Sequence, residues 1–205
     1  MNILTTIAQK SGWTKEHDAY LESNPGLFTD FFNNLVSAMI GLIDSFFKKT
    51  TQIVLEKTTD EFNVKRDLKK FLATKAEGGK LDWLDDDIAG WFGDITVKGR
   101  GEKVVSFVYR FLKNLTHRQI IDTSEKFKIY KRYNLLDACE FASKLIDTGE
   151  IEKNGRGVVI YLEEERDGKL CRLFVYRFDD GELRALVSRV SFDNMFDADS
   201  GAMCS

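Results

Sequence analysis

The segment GRGVVIYLEEERDGKLCRLFVYRFDDGELRALVSRV, Gly155 to Val190, holds three β-branched and aromatic runs: Val158 to Leu162, Leu170 to Phe178 and Leu183 to Val190. Arg166-Asp167-Gly168-Lys169 and Asp179-Asp180-Gly181 separate them. Asp-Gly supplies the positive φ angles of a tight hairpin, so the segment predicts a three-stranded antiparallel meander. With Asp167 and Gly168 as the first loop, Leu162 faces Leu173, Tyr161 faces Phe174, Glu163 faces Arg172 and Val159 faces Tyr176, all compatible pairs. With Asp180 and Gly181 as the second, Phe178 faces Leu183, Tyr176 faces Ala185 and Phe174 faces Val187, but Arg177 meets Arg184. That clash argues for a longer loop or a bulge. Both faces of the meander are apolar in this register, so each needs a cover: the chain's own helices on one, more helix or a partner on the other.

Upstream, the spacing reads as helices. Thr14 caps one that runs to Ser23, and Thr29 caps a longer one reaching Lys49, with Phe32, Leu35, Val36, Met39, Leu42, Ile43, Phe46 and Phe47 as its apolar stripe. Asp60 caps a third through Leu68 and Leu72, stopped by Gly78-Gly79. Leu81 to Phe92 makes a fourth. The pentapeptide Phe-Val-Tyr-Arg-Phe occurs twice, at 107–111 and at 174–178. Around the first copy Val104, Phe107, Val108, Phe111, Leu112 and Leu115 recur at helical spacing, which predicts a helix over 102–115; a duplicated hairpin is the competing reading. Asn134 caps a helix with Leu135, Ala138, Cys139, Ala142, Leu145 and Ile146 on one face, ended by Gly149. The acidic tail from Ser191 reads as a loosely held end.

The chain has 205 residues, 43% hydrophobic and 31% charged, a globular composition that argues against disorder. It shows no basic leader with an apolar run and no apolar stretch of membrane-spanning length, so the cytoplasm is the expected location. Three widely spaced cysteines, Cys139, Cys171 and Cys204, fit neither a disulfide framework nor a zinc site. The net charge of −3 conceals a segment, Lys98 to Arg132, with ten basic and three acidic residues. Such a segment either recruits an anionic partner or pairs with the acidic remainder.

Catalytic signatures are absent from the sequence. His17 and His117 stand in no metal-ligand or nucleophile context. Asp85-Asp86-Asp87 begins like a calcium loop, with Gly90 in place, but Ala89 and Thr96 occupy ligand positions. Glu163-Glu164-Glu165 crowns an expected turn rather than converging in a cleft, and Gly78-Gly79-Lys80 lacks the hydroxyl and first glycine of a phosphate loop. No catalytic residue, metal or cofactor is assigned. The remaining constellation is Lys126-Phe127-Lys128-Ile129-Tyr130-Lys131-Arg132-Tyr133, in which cations alternate with rings. Lys126, Lys128, Tyr130, Lys131, Arg132 and Tyr133 are therefore the candidate contacts for an anionic partner, because such a stretch neutralises phosphates while its rings stack.

The expected fold is α+β: a helical N-terminal domain, 1–118, packed with a C-terminal domain, 119–205, of one helix plus a three-stranded meander. The expected function is a non-catalytic cytoplasmic interaction or accessory protein with a protein partner or a second copy of itself. Nucleic-acid binding by a winged-helix-like C-terminal unit is the alternative, and an enzyme with a site built from scattered residues the third reading. No family motif stands here with enough specificity to carry residues over.

Overall fold

The computed structural model describes residues 45–126, 128–151, 157–196 and 200–204, together with Gly26 and Asn33. The chain divides into two units, Met1–Ser45 and Phe46–Ser205. In the first, Gly26 and Asn33 are helical; the remainder of the helices read from Thr14 and Thr29 lies outside the described residues, as far as Asp44.

The elements of the second unit, in chain order, are β1 (Phe47–Leu55), β2 (Phe62–Asn63), α1 (Val64–Asp67), β3 (Trp83–Leu84), α2 (Asp86–Phe92), β4 (Thr96–Val97), β5 (Val104–Phe111), β6 (Leu115–Thr116), α3 (His117–Lys126), α4 (Leu135–Asp147), β7 (Gly157–Arg166), β8 (Lys169–Arg177), β9 (Leu183–Arg189), β10 (Met195–Phe196) and β11 (Gly201–Cys204). Seven of the strands form one mixed sheet in the order β1-β5-β11-β7-β8-β9-β3. β11 runs parallel to β7 and β3 parallel to β9, while the other neighbours are antiparallel.

This sheet overturns the expected helical N-terminal part packed on a three-stranded meander. Phe47 to Lys49, read as the end of a helix, belong to an edge strand that runs on to Leu55. The predicted helix over 102–115 is strand β5, paired on both sides. A mid-sheet strand with apolar side chains on both faces also satisfies the helical template; the β-branched and aromatic composition was the better guide. The helix expected from Asp60 begins instead at Val64, capped by Asn63, and the one expected from Leu81 begins at Asp86, capped by Asp85. The tail is not loosely held: β11 fills the gap between β5 and β7, and Ala202 is buried.

In the meander, Asp167 and Gly168 both have positive φ, as the turn requires. A bulge between Tyr161 and Glu165 then shifts the register by two, pairing Tyr161 with Arg172 and Val159 with Phe174. A shift of two preserves faces. The second hairpin differs from the expected register by one residue, with Arg177 opposite Leu183 and Tyr176 opposite Arg184. A shift of one turns a strand over, so Leu183, Ala185 and Val187 leave the Phe174 face and Arg184, Leu186 and Ser188 join it. The longer loop separates Arg177 from Arg184, and Arg177 donates to the Gly181 carbonyl at 2.6 Å.

One face of the sheet is covered by α4, which lies on β1 and β7. Ile53, Leu55, Val108, Val158, Ile160, Leu173, Val175, Ala185 and Val187 pack there with Ala138, Phe141, Ala142 and Leu145 in a single core. The Asn134 side chain accepts from the Asp137 N–H at the start of α4, and Gly149 takes φ 70° beyond its end. Arg100 pins the first turn from outside: Nε meets Asp137 at 2.7 Å, Nη2 meets Glu140 at 2.8 Å, and Nη1 donates to the Glu56 carbonyl.

Candidate interaction surface

The two copies of Phe-Val-Tyr-Arg-Phe are both strands, and pleating projects their first, third and fifth residues to the same side. Cross-strand register carries Tyr109 through Ala202 and Val159 to Phe174 and Leu186 in one row. Phe107, Tyr109, Phe111, Phe174 and Tyr176 therefore share the face opposite α4. The valine of each copy turns the other way, and both are fully buried in the α4 core.

Part of this face is roofed by α3 and by β10. His117, at the start of α3, stands edge-on to Phe196 at 4.6 Å and to Tyr161 at 5.6 Å, and Phe196 reaches Phe111 and Phe174. Beyond the roof, Phe174 stacks on Tyr176 at 4.8 Å with the rings 13° apart, and Tyr176 meets Phe178 edge-on at 5.1 Å. The stack needs Gly157. A Cβ there would fall 2.9 Å from the Phe174 ring and 2.5 Å from the Tyr176 Cβ.

The row Gly157, Tyr176, Arg184, Trp83 continues this strip to the sheet edge. Trp83 is 43% exposed and Phe178 37%, and the Arg184 guanidinium lies over the Phe178 ring at 4.1 Å. Other cations repeat the motif: Lys49 over Phe107 at 3.2 Å, Arg172 over Phe174 at 5.4 Å and Arg189 over Trp91 at 5.2 Å. Such pairs occur about once per 70–80 residues in ordinary structures, so this domain is enriched in them.

The six residues expected to bind an anionic partner are divided by the fold. Tyr133 is in the core, its hydroxyl donating to Ser106 at 2.7 Å and its ring edge-on to Phe141. Arg132 braces the end of β7, donating to the Leu162 and Glu163 carbonyls and meeting Glu165 at 3.2 Å. Tyr130 packs on Tyr161 at 5.6 Å. Lys126 and Lys128 are exposed, Lys131 leans over the Tyr133 ring at 5.2 Å, and none of the three has a carboxylate partner among the described residues. Elsewhere two cations of the basic segment are drawn inward, Arg100 to Asp137 and Glu140 and Arg110 to Glu150, while Lys103 meets Glu56 at the surface.

Sequence reasoning missed a polar chain beneath the roof. Arg172 Nη1 lies 2.8 Å from His117 Nε2, and His117 Nδ1 lies 2.8 Å from the Tyr161 hydroxyl. A guanidinium only donates, so Nε2 must accept and the His117 proton resides on Nδ1, directed at Tyr161. Burial, with the Arg172 charge adding to it, holds the imidazole far below its ordinary value, at about 3. His117 is neutral and fully buried, a poor candidate for a general base. The signal that could have found the chain is the bulged register of the first hairpin, which sets Tyr161 against Arg172.

Glu164 is also drawn inward: it accepts from the Leu135 N–H at 3.1 Å at the head of α4, where burial raises its carboxyl above the usual range. A depression of about 270 Å³ beside Phe62, Phe71 and Leu136 has Asp67 and Glu140 on its rim, both already held by Arg or Lys side chains. Among the described residues no group of three or more His, Cys, Asp or Glu is placed to hold a metal, and no helix is long and apolar enough to cross a membrane. Comparison with protein-family models, with curated proteins and with solved structures finds no match.

Proposed function

We propose that this is a non-catalytic cytoplasmic interaction protein whose contact surface is the strip of the sheet carrying Tyr176, Phe178, Arg184 and Trp83. The observation that carries the reading is the continuity of these four residues across three strands with two large rings left exposed. Trp, Tyr and Arg are the residues that concentrate binding energy at protein interfaces, and a cation seated on a ring presents both an apolar and a polar contact. The partner is another protein, a second copy of this chain being the first to test. Association by the sheet edge is disfavoured, because edge strand β1 carries exposed Lys48 and Lys49 and a bulge, and edge strand β3 has only two residues.

Sedimentation equilibrium over a concentration series tests the self-association. The expected result is a reversible dimer that Trp83→Ser with Phe178→Ser weakens by about tenfold or more. A monomer at every concentration removes the second copy and leaves a different protein as partner; a dimer indifferent to both substitutions overturns the strip as its interface. Free, buried Cys139 and Cys171 suit a reducing compartment, which fractionation would check.

A second reading, nucleic-acid binding, is favoured by Lys126, Lys128 and Lys131, cations left without carboxylates among the described residues, beside Tyr130. It rests on these lysines and not on a recognition helix, since α4 buries Leu135, Leu136, Ala138, Cys139, Phe141, Ala142 and Leu145. An electrophoretic shift with single-stranded RNA or DNA, lost steeply with added salt and lost on replacing the three lysines by Gln, would support it. No shift at low salt would remove it.

A further inference from the structure

We infer that Arg172 is the receptor for a small oxyanion, a carboxylate or phosphate group, bound at the edge of the roof over the aromatic face. The contact-surface reading concerns a macromolecule at Trp83 and Phe178; this site stands whether or not that surface is occupied. Arg172 is half-buried on β8, with its guanidinium between the rings of Phe174 at 5.4 Å and Phe196 at 5.0 Å. Its Nε–H donates to the Ser188 hydroxyl at 2.9 Å and its Nη1–H to His117 Nε2 at 2.8 Å. Both acceptors are neutral.

The contrast with the other inward-facing arginines is what marks the position. Arg100 and Arg110 each meet buried or half-buried carboxylates, and the chain carries 33 acidic residues from which a partner could have been drawn. Among the described residues no carboxylate reaches Arg172, and no partner meets its Nη2 amino group. Half-burial, with no counter-charge among the described residues, disfavours the cation, and its own ionisation is lowered accordingly.

The neutral acceptors also explain how the site works. Ser188 and His117 fix the orientation of the guanidinium plane without neutralising it, and the Tyr161 hydroxyl secures the imidazole in the accepting tautomer. Three N–H bonds remain, one on Nη1 and both on Nη2, and one from each nitrogen can meet an oxyanion side by side, the paired geometry in which arginine binds carboxylate and phosphate most strongly. The flanking rings of Phe174 and Phe196 lower the local dielectric, strengthening that bond relative to one in open water.

The test titrates the full chain at neutral pH and low salt with inorganic phosphate and, separately, with acetate, followed by calorimetry and by the His117 ring resonances. Saturable binding of one or both is expected, with phosphate and acetate curves telling which oxyanion the site prefers. Arg172→Met should bind about tenfold more weakly or worse, because the charge-assisted fork is gone, and should unfold at no lower denaturant concentration than the wild type. Saturation by neither anion, or binding unchanged in Arg172→Met, overturns the assignment. Should Arg172→Met fail to fold, the wild-type His117 resonances decide: they must move along the same curve as the calorimetric signal, since Nε2 shares the guanidinium with the anion, and silent His117 resonances would refute the site.

Discussion

His117 couples one side chain to the stability of the fold through its protonation. In the unfolded chain an imidazole titrates near its ordinary value of about 6.5, whereas in the folded protein burial and Arg172 hold it down to about 3. Between these values the unfolded state binds a proton that the folded state refuses. Stability is therefore full above the upper value and is lost as pH falls, with a slope approaching about 1.4 kcal/mol per pH unit. Carboxylates held low by partners, such as Asp67 and Glu77, lose their contribution only at lower pH, whereas Glu164, raised by burial, adds a slope of opposite sign that a His117 substitution leaves in place; the difference between the two proteins from pH ~6.5 to ~5 therefore isolates the histidine. Between pH ~6.5 and ~5 the urea midpoint of the wild type should fall relative to that of His117→Gln, whose amide can still accept from Arg172. Equal slopes in the two proteins would show that His117 is not held neutral.

Among the elements, α4 depends most on a tie from outside itself. Its first turn is capped by Asn134 and Glu164, and Arg100 binds Asp137 and Glu140 from the loop before β5. Arg100 and Asp137 are both buried, so truncating one leaves the other charge without its partner. Arg100→Met should cost roughly 3–5 kcal/mol, far more than an exposed ion pair is worth. The double variant Arg100→Met with Asp137→Leu should recover much of the loss, because two apolar side chains restore neutrality and packing. Denaturation midpoints of both variants check this, and a single variant as stable as the wild type would show that the pair contributes nothing.

Across the entire sheet the decisive piece is the last one in the chain. β11 is antiparallel to β5 on one side and parallel to β7 on the other, and the Phe111 N–H also donates to the Ser200 carbonyl at 2.7 Å. Without it, β1 and β5 form one ribbon and the meander another, each with an unpaired inner edge. A chain ended after Asp199 should lose its cooperative unfolding transition and aggregate, since exposed edges in the middle of an apolar sheet are templates for mispairing. Circular dichroism melts and light scattering of the truncated chain measure this, and an unchanged melt would mean that the two ribbons hold together without β11.

The local code wrote those parts whose partners lie close in sequence. Asp167-Gly168 demanded positive φ and made the first hairpin, Asn134 and Gly149 bounded α4, and alternation within the meander put Val159, Tyr161, Phe174 and Tyr176 on one face. Where partners are distant the same patterns were ambiguous. Val104 to Phe111 satisfied both a helical stripe and a strand apolar on both faces, and only pairing with β1 and β11 on its two sides selected the strand. The single-residue shift at the second hairpin, forced by Arg177 against Arg184, then decided the face of every residue in β9, and with it the meeting of Arg184 with Phe178 and of Ser188 with Arg172. The basic segment shows the same division: its charge was plain from composition, but which cations face solvent depended on Asp137, Glu140, Glu150 and Glu165 arriving from elsewhere in the chain. Side-chain type and turn chemistry act over a few residues, whereas strand order and the pairing of charges are settled only when distant segments compete for the same neighbours.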